Sequence, residues 1–295
     1  MASLKEFRNR IDSVKSTQKI TKAMQMVAAA KLRRAQEAVE NARPYAGRMS
    51  NVVANLSHSM VEQPGAPALL VGTGEDRRHL VVVVSSDRGL CGGFNGAIAR
   101  KSRELISGLI RDGKDVKILC VGVKAFEQIK RFYNDKIIDV ISLREHKYIN
   151  SGHAADISSR VLEMFDAGEF DVCTLVFSKF KNVMSQVPTA QTLIPAVDGL
   201  SEGGELPDLG GACYTYEPDE EEILQVLLPR NLTTQIFQAL LENVAGEMGA
   251  KMTAMDNATR NAGEVIEKLT LQYNRKRQSM ITTELIEIIA GAEAI

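Results

Sequence analysis

The chain has 295 residues, with 36 Lys+Arg against 37 Asp+Glu and a formal net charge of −1. Hydrophobic residues make up 44% and charged residues 25%, which excludes global disorder, and no apolar run approaches the roughly 18–20 residues that span a bilayer. The neutral total hides a polar layout: residues 1–58 carry 11 basic and 4 acidic residues, whereas residues 201–229 carry 8 acidic and no basic ones. The four cysteines (Cys91, Cys120, Cys173, Cys213) have no CxxC spacing, so they fit neither a disulfide framework nor a zinc site. The opening Met-Ala-Ser-Leu-Lys lacks an apolar secretory core, which predicts a chain kept in a reducing compartment.

Residues 1–58 predict a coiled-coil helix. On an alternating 3–4 grid from Leu4 to Leu56, thirteen of sixteen positions are apolar, the exceptions being Gln18, Thr21 and Gln25. Such a helix would be roughly 80 Å long. Pro44 is expected to kink it or end it early. Residues 59–78 are expected as a connecting loop.

Residues 79–196 alternate strands and helices, which predicts a small α/β domain with a mostly parallel sheet. Strands are expected at 79–86, 116–121, 137–142, 171–178 and 186–194, with helices at 97–110, 124–132 and 153–165. An acidic, Gly-rich loop follows at 197–218.

Residues 219–295 predict a second rod. A stripe at Phe237, Leu241, Val244, Met248, Lys251, Met255, Ala258, Ala262, Val265 and Leu269 is apolar at nine of ten places. It lapses across Thr270–Ser279 and resumes in a new phase at Ile281. Pro229 is expected in the first turn, or at a kink after a short acidic helix. Small and flexible seam residues (Ala28, Ala35, Ala262, Met248, Met255) allow close approach and imperfect registry. Helices at both ends of one domain pair most economically as an antiparallel rod, with the α/β domain at its foot and the longer C-terminal helix protruding. Aromatics at 5% and the absence of Trp agree with a chain that is largely rod.

Several features carry candidate chemistry. Asp87–Gly96 (DRGLCGGFNG) sits where phosphate cradles sit, after a strand and before a helix, yet it lacks GxGxxG spacing and a following GK[ST]. We read it as a tight turn, with a nucleotide-binding enzyme as the competing hypothesis. Cys91 could have a lowered thiol pKa at a helix start, but no His/Asn set accompanies it, so packing is the reading. His58, His79, His146 and His153 have no metal-ligand spacing. The basic N-terminal helix lacks aromatic stacking platforms, which argues against nucleic acid. Arg275–Gln278 interrupt the second rod with polar groups, and beyond them Ile281, Ile288, Ile289 and Ile295 form an apolar tip. An unpaired apolar tip calls for a hydrophobic sleeve. A coiled-coil adaptor without rotation shares these rods and is the third hypothesis.

Read end to end, the chain resembles the gamma subunit family of F-type ATP synthases. The resemblance rests on Ser16-Thr-Gln-Lys-Ile-Thr-Lys-Ala-Met-Gln-Met-Val-Ala-Ala29 with Arg43-Pro-Tyr45, and on Ser86-Asp-Arg-Gly-Leu-Cys-Gly-Gly-Phe-Asn95. Asn182-Val-Met-Ser-Gln-Val-Pro188, Met252-Thr-Ala-Met255 and Arg277-Gln278 with Ile281–Ala292 complete it. Lys251 stands where the family often has Arg.

This resemblance implies a non-catalytic rotor shaft inside a hexamer of alpha and beta subunits, with an epsilon subunit and the membrane c-subunit ring as further partners. It implies no cofactor, no nucleic acid, and membrane association through partners only. Proton flow through the ring would be coupled to ATP synthesis at the beta subunits. Lys19, Lys22, Met24, Arg277, Gln278, Thr282 and Glu284 would contact beta subunits. Leu285, Ile288, Ile289 and Ile295 would form the bearing tip, and Tyr214, Tyr216 and Glu217 would meet the ring. With no transit peptide apparent, the expected place is the cytoplasmic face of a bacterial inner membrane.

Overall fold

A computed structural model describes residues 3–60, 66–146, 148–196 and 220–293, the side chains at 58–60, 220, 221, 291 and 293 excepted. The elements are α1 (Leu4–Met60), α2 (Ala68–Val71), β1 (Arg78–Val84), α3 (Phe94–Arg111) and β2 (Asp115–Val121). Then come α4 (Val123–Tyr133), β3 (Ile137–Ile141), α5 (Ser151–Asp166), β4 (Val172–Asn182), β5 (Ser185–Ile194) and α6 (Glu220–Glu293). The acidic stretch 197–218 lies outside the described residues. Two compact units emerge: Lys31–Ala250, and Met1–Ala30 with Lys251–Ile295.

In the first of these units, five strands lie in the order β3-β2-β1-β4-β5. All neighbours are parallel except the β4–β5 hairpin. Strand β1 carries the uninterrupted apolar run Leu80–Val84 because both its faces are covered, and all five residues are buried. Val81 and Val83 join Ile98, Ile106, Ala125 and Ile129 of α3 and α4 on one face. Leu80, Val82 and Val84 join Ile157 and Val161 of α5 and Leu232, Ile236 and Leu240 of α6 on the other. Helix α5 opens with a capping box in which Asn150 and His153 each bond the other's backbone N–H.

Two polar contacts pin this unit. Asp171 is fully buried and accepts the backbone N–H groups of Arg77 and Arg78 at 3.1 and 2.9 Å, while the Arg78 guanidinium pairs with it at 2.6 Å. Arg78 holds this carboxyl down at about 2. Glu242 of α6, 1% exposed at its side chain, pairs with Arg43 of α1 at 3.5 Å and accepts the Phe180 N–H at 3.2 Å. Arg43 in turn donates to the Phe180 carbonyl at 3.1 Å, so α1, α6 and β4 share one ionic knot.

Neither proline ends its helix, and Pro229 lies beyond the first turn of α6. Helix α1 runs unbroken through Pro44 to Met60, and α6 includes Pro229 in a single helix from Glu220. A proline inside a helix costs ~3 kcal/mol. Beyond Pro44, however, Val53 and Leu56 are wholly buried with Leu70 of α2 and Leu224 and Leu228 of α6. Each such side chain returns roughly 1.5–3 kcal/mol, so packing outweighs the break. The narrow stripe expected at Phe237, Leu241, Val244 and Met248 is also broader. Leu232, Ile236, Ala239, Leu240, Leu241 and Ala245 are all buried, because this stretch of α6 is a layer of the α/β unit. Gly246 is required there, since a Cβ would stand 2.9 Å from the Phe94 ring.

The second unit pairs residues 3–30 of α1 with 251–293 of α6. Contacts Gln25–Asp256, Thr21–Thr259 and Arg8–Tyr273 rise on one helix as they fall on the other, so the pair is antiparallel. Every one of the sixteen grid positions of α1, across both units, is buried or half-buried. On α6 the expected positions Lys251, Met255, Ala258, Ala262 and Leu269 are buried or half-buried and only Val265, 42% exposed, departs, while Thr259, Ile266 and Tyr273 also turn inward. The seam also continues through Tyr273, which receives a 3.0 Å hydrogen bond from Arg8 and lies under its guanidinium. Polar seam residues carry their own partners, which a hydrophobic stripe does not register.

Candidate functional site

The strand-to-helix turn at residues 85–93 follows β1, between β2 and β4, where the strand order reverses and open α/β sheets bind ligands. Here the turn is closed on itself. Asn95 accepts the Ser86 N–H at 3.1 Å and donates to Ser86 Oγ at 2.8 Å and Cys91 Sγ at 3.2 Å. Asp87 accepts from Val123 N, Ser142 Oγ and Leu143 N at 2.9–3.1 Å, tying the ends of β2 and β3 together. Ser85 Oγ accepts the Ala125 N–H, and Gly122 lies so close that a Cβ would fall 2.2 Å from the Ser85 carbonyl. The side chains of Ser85, Ser86, Asp87 and Asn95 are thus spent on fixing the turn to α3 and to the ends of β2 and β3.

Cys91, Cys120 and Cys173 are buried. Burial pushes the Cys120 thiol up to about 12 and Cys173 higher still. The rings of His146 and His153 lie 4.1 Å apart, a proximity their spacing did not reveal. Among the described residues no group of three or more His, Cys, Asp or Glu could hold a metal ion.

The helical pair exposes a different kind of surface. Lys19 and Lys22 point into solvent, with Lys22 Nζ bonded to Gln25 Oε1 at 3.0 Å. Met24 is half-buried, about 140° round the helix from Lys19. It belongs instead with Ile20 and Val27, which are 60% and 57% exposed. These two outward apolar residues were not anticipated, although their positions off the 3–4 grid were visible in the sequence.

On α6, every residue from Arg277 to Ala290 is exposed. Arg277 and Glu284 fall on one side; Gln278 and Thr282 fall on another, linked by a 2.9 Å bond from the Thr282 hydroxyl to the Gln278 carbonyl. Beyond them Leu285, Ile286, Ile288 and Ile289 are 54–67% exposed, a contiguous apolar surface. Ile295, Tyr214, Tyr216 and Glu217 lie outside the described residues. No helix among the described residues is long and apolar enough to cross a membrane.

The features define a protein of two long terminal helices, paired antiparallel in one unit, with an α/β domain as the other unit and an exposed apolar stretch at residues 285–289. Comparison with known proteins agrees. The ATP synthase family model matches residues 3–295. The ATP synthase gamma chain of Maricaulis maris is 62% identical over all 295 residues, and that of Rhizobium etli 60%, each covered in full. Among solved structures, a chain of the Tetrahymena thermophila mitochondrial ATP synthase central stalk and c-ring matches with TM-score 0.59 at 27% identity. The match covers 81% of this chain and 99% of that one. A chain of the Euglena gracilis enzyme shares the fold, with TM-score 0.68 at 19% identity over 99% of this chain and 94% of that one. The chain belongs to the ATP synthase gamma chain family.

Proposed function

We propose that this chain is the central rotor shaft of an F-type ATP synthase. It couples proton flow through the membrane ring to ATP synthesis by turning inside the alpha/beta hexamer, and so regulates ATPase activity and proton flow. The full-length match to chains named ATP synthase gamma chain carries this reading. The shaft is non-catalytic: the chemistry lies in the beta subunits, and rotation of an asymmetric rod shifts each of them in turn between conformations.

The finer assignments follow from surface chemistry. Lys19 and Lys22, with the apolar face Ile20–Met24–Val27, suit an acidic and apolar lever of the beta subunits. Arg277, Gln278, Thr282 and Glu284 offer them hydrogen bonds and charge. Leu285, Ile288, Ile289 and Ile295 occupy the hydrophobic bearing of the hexamer. Tyr214, Tyr216 and Glu217 meet the c-subunit ring, with the epsilon subunit alongside. The chain binds no cofactor or nucleic acid. It is held peripherally, through these partners, on the cytoplasmic face of the bacterial inner membrane.

The test is purification of the tagged chain from its native membranes in mild detergent, with the co-purifying subunits identified by mass. Alpha, beta and epsilon subunits with the ring, in a complex that hydrolyses ATP, are the expected result. Recovery of the chain alone, or with unrelated proteins, would overturn the reading.

A further inference from the structure

The β4–β5 hairpin reaches past the rest of the sheet. Strand β1 pairs with β4 as far as Val83–Val176, whereas β4 and β5 continue together to Asn182–Ser185. Beyond β1, the Phe180 N–H donates to Glu242 Oε2 at 3.2 Å and the Phe180 carbonyl accepts from Arg43 at 3.1 Å. Side chains of α6 and α1 thus occupy the edge that β1 leaves open. The tip is held as well. Asn182 Oδ1 accepts the N–H groups of Met184 and Ser185 at 2.9 and 2.8 Å, and the Gln186 amide donates to the Val183 carbonyl at 2.7 Å. A Cβ on Gly249 would stand 3.5 Å from that carbonyl oxygen, so the tip lies against α6 beside Ala250, where this unit ends on α6.

The fold leaves three side chains of this tip unused. Met184 is 80% exposed, more than any other large apolar residue among the described ones. Lys179 and Lys181 are exposed, and among the described residues neither side chain has a partner. By contrast, Lys114, Lys117, Lys124 and Lys136 of the same unit each pair with a carboxylate. The hairpin has no acidic residue from Val172 to Ile194, so its two positive charges are not neutralised within it. A lone exposed methionine needs no explanation. A methionine carried on a turn that several side chains hold in shape, with unpaired cations beside it, is preset for a partner. Such a turn loses little freedom on binding, and the unbranched thioether adapts to an irregular apolar recess. The complementary surface is acidic with an apolar patch.

We infer that the hairpin tip, Lys179–Met184, is a further contact surface of this chain and takes an acidic, partly apolar surface of the alpha/beta hexamer. The choice of partner rests on the rotor reading. The tip stands where α6 leaves the α/β unit, and in that reading the hexamer surrounds the helices beyond.

The experiment is photo-crosslinking in the assembled complex. The tagged chain carries Cys213→Ser with Met184→Cys, labelled with a benzophenone maleimide and illuminated after purification from native membranes. The peptides joined to this chain are then identified by mass spectrometry. The expected adduct is with an alpha or beta subunit, at a segment in which Asp and Glu outnumber Lys and Arg. Lys181→Cys, a second probe on the same tip, should reach the same segment. Phe132→Cys, at an exposed position on α4, should give no adduct with alpha or beta. The inference is overturned by adducts only with the epsilon subunit or the ring, by a joined segment that is not acidic, or by alpha and beta adducts from Phe132→Cys at equal yield. Absence of any adduct from both tip positions overturns it too. If alpha and beta subunits never co-purify with the chain, the rotor reading fails and the inference with it. If they co-purify and the tip does not reach them, the inference alone fails.

Discussion

Asp171 shows how one buried side chain can make a domain sensitive to acid. Arg78 and two backbone N–H groups hold its carboxyl at about 2, against an ordinary 3.8. A depressed native pKa contributes stability that is complete above the unfolded value and is lost as pH falls toward the native one. The shift corresponds to about 2 kcal/mol, so stability of the α/β unit should decline between pH 4 and 2, as urea unfolding across that range would measure. In Asp171→Asn this part of the acid dependence should vanish, with stability at pH 7 lower by about 2–3 kcal/mol because Arg78 loses its partner. Met24 carries a functional prediction. Met24→Lys places a charge on the Ile20–Met24–Val27 face and is expected to reduce protons pumped per ATP hydrolysed while leaving assembly intact. An unchanged ratio in membrane vesicles would remove Met24 from the coupling surface.

At the scale of elements, hydrophobic periodicity carried most of the information. All sixteen grid positions of α1 are covered by the fold, and the β1 run is long and apolar because helices close both faces. Where the stripe failed, packing had intervened. The portion of α6 through Leu232 and Leu240 lies on a sheet, so its buried face is too broad for a heptad. Thr259 and Tyr273 were hidden as seam residues because their hydrogen-bond partners lie more than 200 residues away in sequence. Pro44 was expected to kink α1 or end it early; the helix does not end there, and Val53 and Leu56 hold it beyond. Pro44→Ala restores an N–H to the helix and relieves the ring clash. Part of the gain is offset by a freer unfolded chain. The net expectation is stabilisation by about 2 kcal/mol, seen as a higher thermal midpoint.

For the whole molecule, the end of α6 matters because it leaves Leu285, Ile286, Ile288 and Ile289 54–67% exposed on one helix. Burying what remains exposed of Leu285, Ile286, Ile288 and Ile289 would be worth roughly 4–7 kcal/mol, which gives a surrounding sleeve of partner subunits a hold on the shaft. Deletion of residues 285–295 is therefore expected to leave a complex that still assembles through other surfaces but hydrolyses ATP with weakened proton pumping. Pumping equal to the parent's, in vesicles matched for subunit content, would show that the tip is not a bearing.

The sequence by itself determined the periodic elements, the two long helices, the alternating α/β segment and the family motifs, because these depend on patterns within seven or eight neighbouring residues. It also marked the bare helix end, since an apolar stripe that resumes out of phase has no local partner. Only the tertiary structure decided that the turn after β1 closes on Asn95 and Asp87, that Glu242 knots α1 to α6 and β4, and that Thr21 meets Thr259. These are pairings between polar groups remote in the chain. A residue's own type announces that it needs a hydrogen bond, but only the folded backbone determines which distant group supplies it.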